Sequence, residues 1–431
     1  MFDPFTLAMM LIAALAVMGL SIGLAMLCGS FVYLMARGLD PSLAAETMLQ
    51  GLYNGYTLLA IPLFILAADI MNVGSLADRL LRFTTALVGR FRGGLGHVNV
   101  VSSLIFSGMS GSAVADAVGM GRVIINLMTR DGKYTASYAA ALTAATATIG
   151  PIIPPSIPMV LYALVSGQSV GYLFAAGILP GVLMALVMAV TNAIMARRRN
   201  FPTDEAVPLR DMPRLTFQAF PALMLPVILL GGIYGGVMTP TEAAAVAAAY
   251  ALIISVLLYR SVSLRAFLAT LVSGGRSTAS VGLLIAGALA FNYVIARENI
   301  PASVSVWLNS MDLSPVTFLI AVNLLFLALG CILEAGVLLL ILVPILLPTA
   351  QALGIDLVHL GVVLVVNAML GLITPPYGLL LFVVSSMTRQ PMIAVVRDLL
   401  PFIAALFMAL IFLTFTPDFV LFLPRLLGYA G

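Results

Sequence analysis

Apolar residues in this chain run in long blocks instead of recurring on one helical stripe. Blocks at 11–35, 139–165, 173–196, 360–384 and 402–415 supply most or all of the roughly 20 apolar residues a helix needs to cross hydrocarbon. The last is the core of a run that continues past both ends. Two other blocks have short apolar arms that meet at small or polar residues: 95–130 turns at SGMSGSAVAD and 315–353 turns at LGCILEAG. Each arm is short for a crossing, so both blocks read as re-entrant hairpins whose irregular tips are buried against protein. Blocks 137–165 and 357–384 are interrupted by Pro154-Pro155 and Pro375-Pro376. A proline has no N–H and clashes with the preceding turn, so each pair predicts a helix broken in mid-span. Amphipathic stretches at 76–90 and 300–312 predict helices lying along the interface, one anchored by arginines and the other by Trp307. The run from Phe5 to Ala36 fits two short spans hinged near Gly19–Gly23.

These features recur at one offset. Gly150-Pro-Ile-Ile-Pro-Pro155 lies 221 residues before Gly371-Leu-Ile-Thr-Pro-Pro376, with four of six positions identical. The same offset places Pro180 on Pro401 and the first hairpin tip on residues 332–334. The chain therefore divides into a first repeat (1–196), a linker (197–214) and a second repeat (215–431).

Composition fits this picture. The chain is 62% hydrophobic and 9% charged, against about 25% charged in a soluble protein. Too few charges remain to cover a water-exposed surface, so lipid solvates most of it. Seventeen of the twenty Lys and Arg fall in four clusters, at 79–133, 197–214, 260–276 and 389–397. Basic residues stay cytoplasmic, which puts both flanks of the first hairpin on that side. The second hairpin has no Lys or Arg in its flanks, MDLSP and QALGIDL, and is expected to enter from the opposite, periplasmic side. The expected fold is an all-α polytopic membrane protein with inverted repeats, two re-entrant hairpins and two broken helices, the plan of many secondary transporters. The first segment lacks a basic leader and a cleavage site and reads as a retained span. Cys28 and Cys331 are far apart in apolar segments, which argues against a disulfide framework, and no metal-ligand spacing occurs.

The chemistry concentrates at tips and breaks. A broken helix frees carbonyls that are costly in lipid unless a partner, such as a cation, satisfies them. Ser107, Gly108, Ser110, Gly111 and Ser112 at the first tip offer hydroxyls and bare backbone, for coordination or for close helix packing. Thr148 and Gly150 stand before the first break, with Thr146 nearby; the threonines would add oxygens or bond back onto their own helix. Gly330, Cys331, Gly371, Thr374 and Asn367 are the counterparts in the second half. Asp116 and Glu334 are carboxylates inside the hairpins, and intramembrane acids are functional candidates by default. Glu334 would bind a cation, exchange a proton or meet substrate; Asp116 would do likewise or pair with Arg122 or the basic cytoplasmic flank. Ser112, Asp116, Pro154, Pro155, Ser156, Glu334, Pro375 and Pro376 are the candidates for contacting substrate. Asp69 and Glu242 read as interfacial or helix-start charges, and His97 and His359 as interfacial.

Gly108-Met-Ser110-Gly111 also has the form of an intramembrane serine protease nucleophile. Neither His97, in the same hairpin, nor His359, at a membrane edge, is placed to act as its base. There is no Walker, Rossmann or HExxH pattern, so the chain reads as a carrier that uses neither ATP nor an organic cofactor, and not as an enzyme. Nothing points to nucleic acid.

At IPLFILAADIMN (61–72), GGLGHVNVVSSLIFSGMSGSAVADA (93–117) and TIGPIIPPSIPMV (148–160) the chain resembles the large membrane subunit of TRAP (tripartite ATP-independent periplasmic) transporters. The resemblance continues through GGIYGGVMTPTEAAAVAAAYAL and PILLPTAQALGIDLVHLGVVLVVNAMLGLITPPYG and covers essentially the whole length. It implies an elevator-type, sodium-coupled importer of organic acids in the bacterial inner membrane. It also implies two partners, a small membrane subunit and a periplasmic substrate-binding protein. One departure stands at the second tip, where the family usually has Met-Asp and this chain has Leu333-Glu334. The alternative carrier, a stand-alone sodium/dicarboxylate symporter, usually shows Ser-Asn-Thr at both tips, which is absent here.

Overall fold

The computed structural model describes residues 3–73, 76–203, 207–311 and 313–431, and these are helical throughout apart from turns and one isolated bridge between Arg92 and Thr203. The first half contains α1 (Pro4–Val17), α2 (Ile22–Ala36), α3 (Ser42–Asn54), α4 (Ala60–Val73) and α5 (Leu76–Val88). The first hairpin follows as α6 (Gly94–Ser110), α7 (Ala113–Val118) and α8 (Met120–Thr129). Next come α9 (Ala136–Ala147) and α10 (Ile157–Ser166), separated by the first Pro-Pro break, and then α11 (Val170–Arg198). The second half runs α12 (Met212–Tyr234), α13 (Pro240–Ile253), α14 (Leu264–Arg297) and α15 (Ile300–Ser310). Its hairpin is α16 (Pro315–Gly330) with α17 (Ala335–Ala352), and its broken helix is α18 (Leu357–Gly371) with α19 (Leu379–Thr388). The chain closes with α20 (Met392–Phe415) and α21 (Pro417–Leu426). Parts of the linker (204–206) and the end of the expected interfacial helix (312) lie outside the described residues.

Seven helical segments among the described residues are long and apolar enough to cross a membrane, and the shorter apolar helices include α10 of the first broken helix and both halves, α18 and α19, of the second. The molecule is therefore a multi-pass membrane protein. Restarts are set by short polar caps. Ser112 accepts from the N–H of Ala115, Ser156 from Met159, Ser314 from Thr317 and Asp356 from His359. Thr239 and Glu242 form a reciprocal capping box at the start of α13, in line with the helix-start reading of Glu242.

Two groups of helices emerge. One joins α1, α2, α4, α13 and α14; the other centres on α9 and α18, the leading halves of the broken helices. From Tyr138 to Ala147 and from Val358 to Gly371 every residue is buried. A helix apolar on all sides has to be enclosed by others, and α9 packs on α6, α8, α19 and α20 while α18 packs on α16, α17 and α20. Each amphipathic helix rests on its own hairpin, α5 on α6 and α15 on α17. Asparagine pins the two hairpins similarly. Asn99 of α6 donates to Thr143 at 2.8 Å and accepts from Thr146 at 2.9 Å, both on α9. Asn367, at the position 221 residues after Thr146, donates from α18 to Asn323 of α16 at 2.7 Å.

Candidate functional site

Both hairpin tips seat on their own breaks through bare backbone. Gly111 ends α6 at φ 63°, in the left-handed region, and a Cβ there would collide with the Pro155 carbonyl. In the second half the Gly378 N–H donates to the Cys331 carbonyl at 3.1 Å. Gly330 and Gly371 meet beside it, so closely that a Cβ on Gly371 would lie 2.6 Å from the Gly330 carbonyl carbon. Both Pro-Pro bonds, Pro154-Pro155 and Pro375-Pro376, are cis.

A cavity of about 200 Å³ lies where these four elements converge. The first tip supplies Ser110, Gly111, Ser112 and the first turn of α7; the second supplies Glu334, Ala335 and Gly336. The breaks add Pro151, Ile157, Pro158, Leu372 and Leu379. Thus α7, α10, α17 and α19 all begin at this cavity, with their positive ends towards it. The opposite wall belongs to the other helix group: Ile65, Ala68 and Asp69 of α4, and Ser277, Val281 and Leu284 of α14.

The expected site residues divide accordingly. Ser110, Gly111, Ser112 and Glu334 line the cavity, and Glu334 is accessible from it. Asp116 is buried just behind, where Ser110 donates to one carboxylate oxygen and the other has no hydrogen-bond partner among the described residues. That free oxygen faces the bare Cα of Gly150, since a Cβ there would overlap it. The pairing of Asp116 with Arg122 is corrected: its partner is the Ser110 hydroxyl. Ser107, Thr148 and Thr374 are turned back onto their own helices, bonding the carbonyls of Leu104, Ala145 and Leu370 at 2.6, 2.6 and 2.7 Å. Gly108 packs towards Pro226 of α12, and Cys331 donates to Leu327.

Pro154, Pro155 and Ser156 are buried under the cavity wall, with the Ser156 hydroxyl on the Pro151 carbonyl. Pro375 and Pro376 are exposed. This asymmetry follows from the neighbouring helices. Gly177 and Gly181 of α11 leave room for the Ile152 carbonyl and the Ile153 side chain. At the matching offset α20 carries Asp398 and Phe402, so it presents no bare backbone to the second break.

Three placements go beyond the sequence. Asp69 is not at a helix end; it sits within α4, on the cavity wall, with one carboxylate oxygen buried and unpartnered. His359 lies at the start of α18 and is buried against α20, its Nε2 2.9 Å from the Leu413 carbonyl. The second arm of the first hairpin is split at Gly119, where a Cβ would crowd the Asn72 side chain of α4.

Enclosed polar restarts inside an all-helical membrane fold are the architecture of a carrier. The DctM component of the tripartite ATP-independent periplasmic transporters matches residues 7–419 as a family model. The chain is 40% identical to the sialic acid TRAP transporter large permease protein SiaM of Vibrio cholerae, over 96% of each chain. It is 42% identical to the C4-dicarboxylate TRAP transporter large permease protein DctM of Pseudomonas aeruginosa, over 87% of this chain and 88% of the other. Its fold is similar to the crystal structure of the Alcanivorax borkumensis YdaH transporter, with a TM-score of 0.64 at 16% identity over 86% of this chain and 87% of that one. The chain belongs to the DctM family, the large permease component of TRAP transporters.

Proposed function

We propose that this permease imports an organic acid across the bacterial inner membrane, coupled to sodium and supplied by a periplasmic binding protein, with a small membrane subunit as its second partner. The observation that carries the reading is the convergence of helix starts on one cavity. The positive ends of α10, α17 and α19, helices of 10, 18 and 10 residues, attract a carboxylate without any Lys, Arg or His among the described lining residues. Relatives support the substrate class by their names: sialic acid, C4-dicarboxylate and, in Escherichia coli, 2,3-diketo-L-gulonate. A C4-dicarboxylate, a sialic acid or a similar carboxylate fits this reading.

Sodium is proposed at the tips. Asp116 with Ser110 in the first half, and Glu334 beside the Gly330–Gly371 contact in the second, offer carboxylate oxygens to a cation. Cations bound there would order both tips and complete the substrate site. Hairpins and broken helices would then travel as one block against the frame of interfacial helices and remaining spans. Inverted sidedness of the two hairpins would let the block open to either face.

Uptake into vesicles holding the large and small subunits tests this. Accumulation is expected only with an inward sodium gradient and added binding protein. Sodium-driven accumulation without the binding protein supports the stand-alone sodium/dicarboxylate symporter instead.

A further inference from the structure

The side-chain charge of the cavity has the same sign as its proposed cargo. Two carboxylates line it, Glu334 on the tip of the second hairpin and Asp69 on the facing wall, and no cationic side chain stands among its described lining residues. Cations at the tips and helix starts answer the charge of Glu334 and of a bound acid, but Asp69 is outside that set. It belongs to α4, across the cavity, and packs where α14 has no side chain to offer. A Cβ at Gly274 would lie 3.3 Å from the buried Asp69 oxygen, so the carboxylate abuts bare backbone. Among the described residues no N–H or O–H reaches that oxygen. One turn further along α14, Ser277 lines the cavity as a second small polar group on the same wall. An unanswered carboxylate in such a place is unfavourable unless a donor meets it.

We infer that Asp69 is a specificity residue that receives hydroxyl or ammonium donors of the substrate. The permease therefore selects hydroxylated or amino-bearing monocarboxylates over plain dicarboxylates. The inference rests on the carboxylate reading above and narrows it. A monocarboxylate puts its charge at the helix starts and its donors on Asp69 and Ser277. A plain dicarboxylate puts a second negative charge against Asp69 instead. Sites that hydrogen-bond a substrate group discriminate strongly against analogues lacking it, because their own polar groups are then left unpaired.

The test is ligand binding to the purified large and small subunits in sodium chloride, read as thermal stabilisation, with D-gluconate, N-acetylneuraminate and succinate as probes and sorbitol as the osmotic control. At least one of the two hydroxylated acids is expected to bind about tenfold or more tightly than succinate. D69N is expected to weaken that acid about tenfold without weakening succinate, and D69E to restore part of the loss. Succinate binding as tightly as either hydroxylated acid, or a D69N loss equal for all acids, overturns the inference and leaves the carboxylate reading standing. Stabilisation by none of the three counts against both.

Discussion

The N–H of Gly378 donates to the Cys331 carbonyl at 3.1 Å, tying the second break to the second hairpin tip through main chain alone. The neighbouring Gly330–Gly371 contact depends on the absence of side chains. Gly371→Ala is expected to push the two segments apart, costing about 1–3 kcal/mol of stability and most of the uptake. Gly231→Ala, where a Cβ meets nothing within 4 Å, is the matched control. Thermal denaturation and vesicle uptake of both variants check this, and equal behaviour would refute the packing argument.

Ser110 and Asp116 form one unit behind the first tip. If that unit holds a cation, Asp116→Asn raises the sodium concentration for half-maximal uptake about tenfold or more, because a charged oxygen is replaced by a neutral amide. Ser110→Ala adds little in the Asp116→Asn background, since groups that act together are not additive. Sodium titrations of the two single variants and the double variant measure the coupling directly. Fully additive losses would separate the two residues.

Ser112 and Glu334 stand on opposite hairpin tips but on the same cavity. Ser112→Ala and Glu334→Ala are each expected to shift the sodium dependence of uptake, and Glu334→Asp to keep transport with a smaller shift. Unchanged sodium curves in both alanine variants would remove the tips from the cation sites.

Arg199 and Asp398 pair at 2.6 Å, and Ser137 donates to the same carboxylate at 2.6 Å, joining α9 and α20 to the residue that follows α11. The Asp398 side chain is only 11% exposed, so Asp398→Ala is expected to cost about 1.5–3 kcal/mol. The readout is a lowered melting temperature with sodium dependence retained. A changed sodium dependence at normal stability would assign the pair to transport rather than to fold.

Much of the fold could be read before the structure because lipid simplifies the code. Interrupted apolar blocks left few choices at 95–130 and 357–384, and the tip residues Ser110, Ser112 and Glu334 stood out as polar groups inside them. Other parts carry no such signature. Asn99 pins α6 to α9, yet a single asparagine in an apolar run has no periodic partner in sequence. Asp69 reads from the sequence as an interfacial or helix-start charge; only packing of α4 on α14 shows that it faces a cavity. Ser107 reads as a ligand by type and Thr148 as a ligand or a back-bonded hydroxyl, and helical geometry gives both a nearer carbonyl on the preceding turn.

The cavity itself is most directly tested by chemical protection. Ser277 is exposed and lines it from the α14 side, so Ser277→Cys, with Cys28 and Cys331 replaced by alanine, gives a reporter on its wall. Maleimide labelling of the transport-competent variant is expected to slow at least about fivefold when sodium and the transported acid are both present, and much less with sodium alone. Labelling that is indifferent to the acid while uptake persists would place the substrate elsewhere.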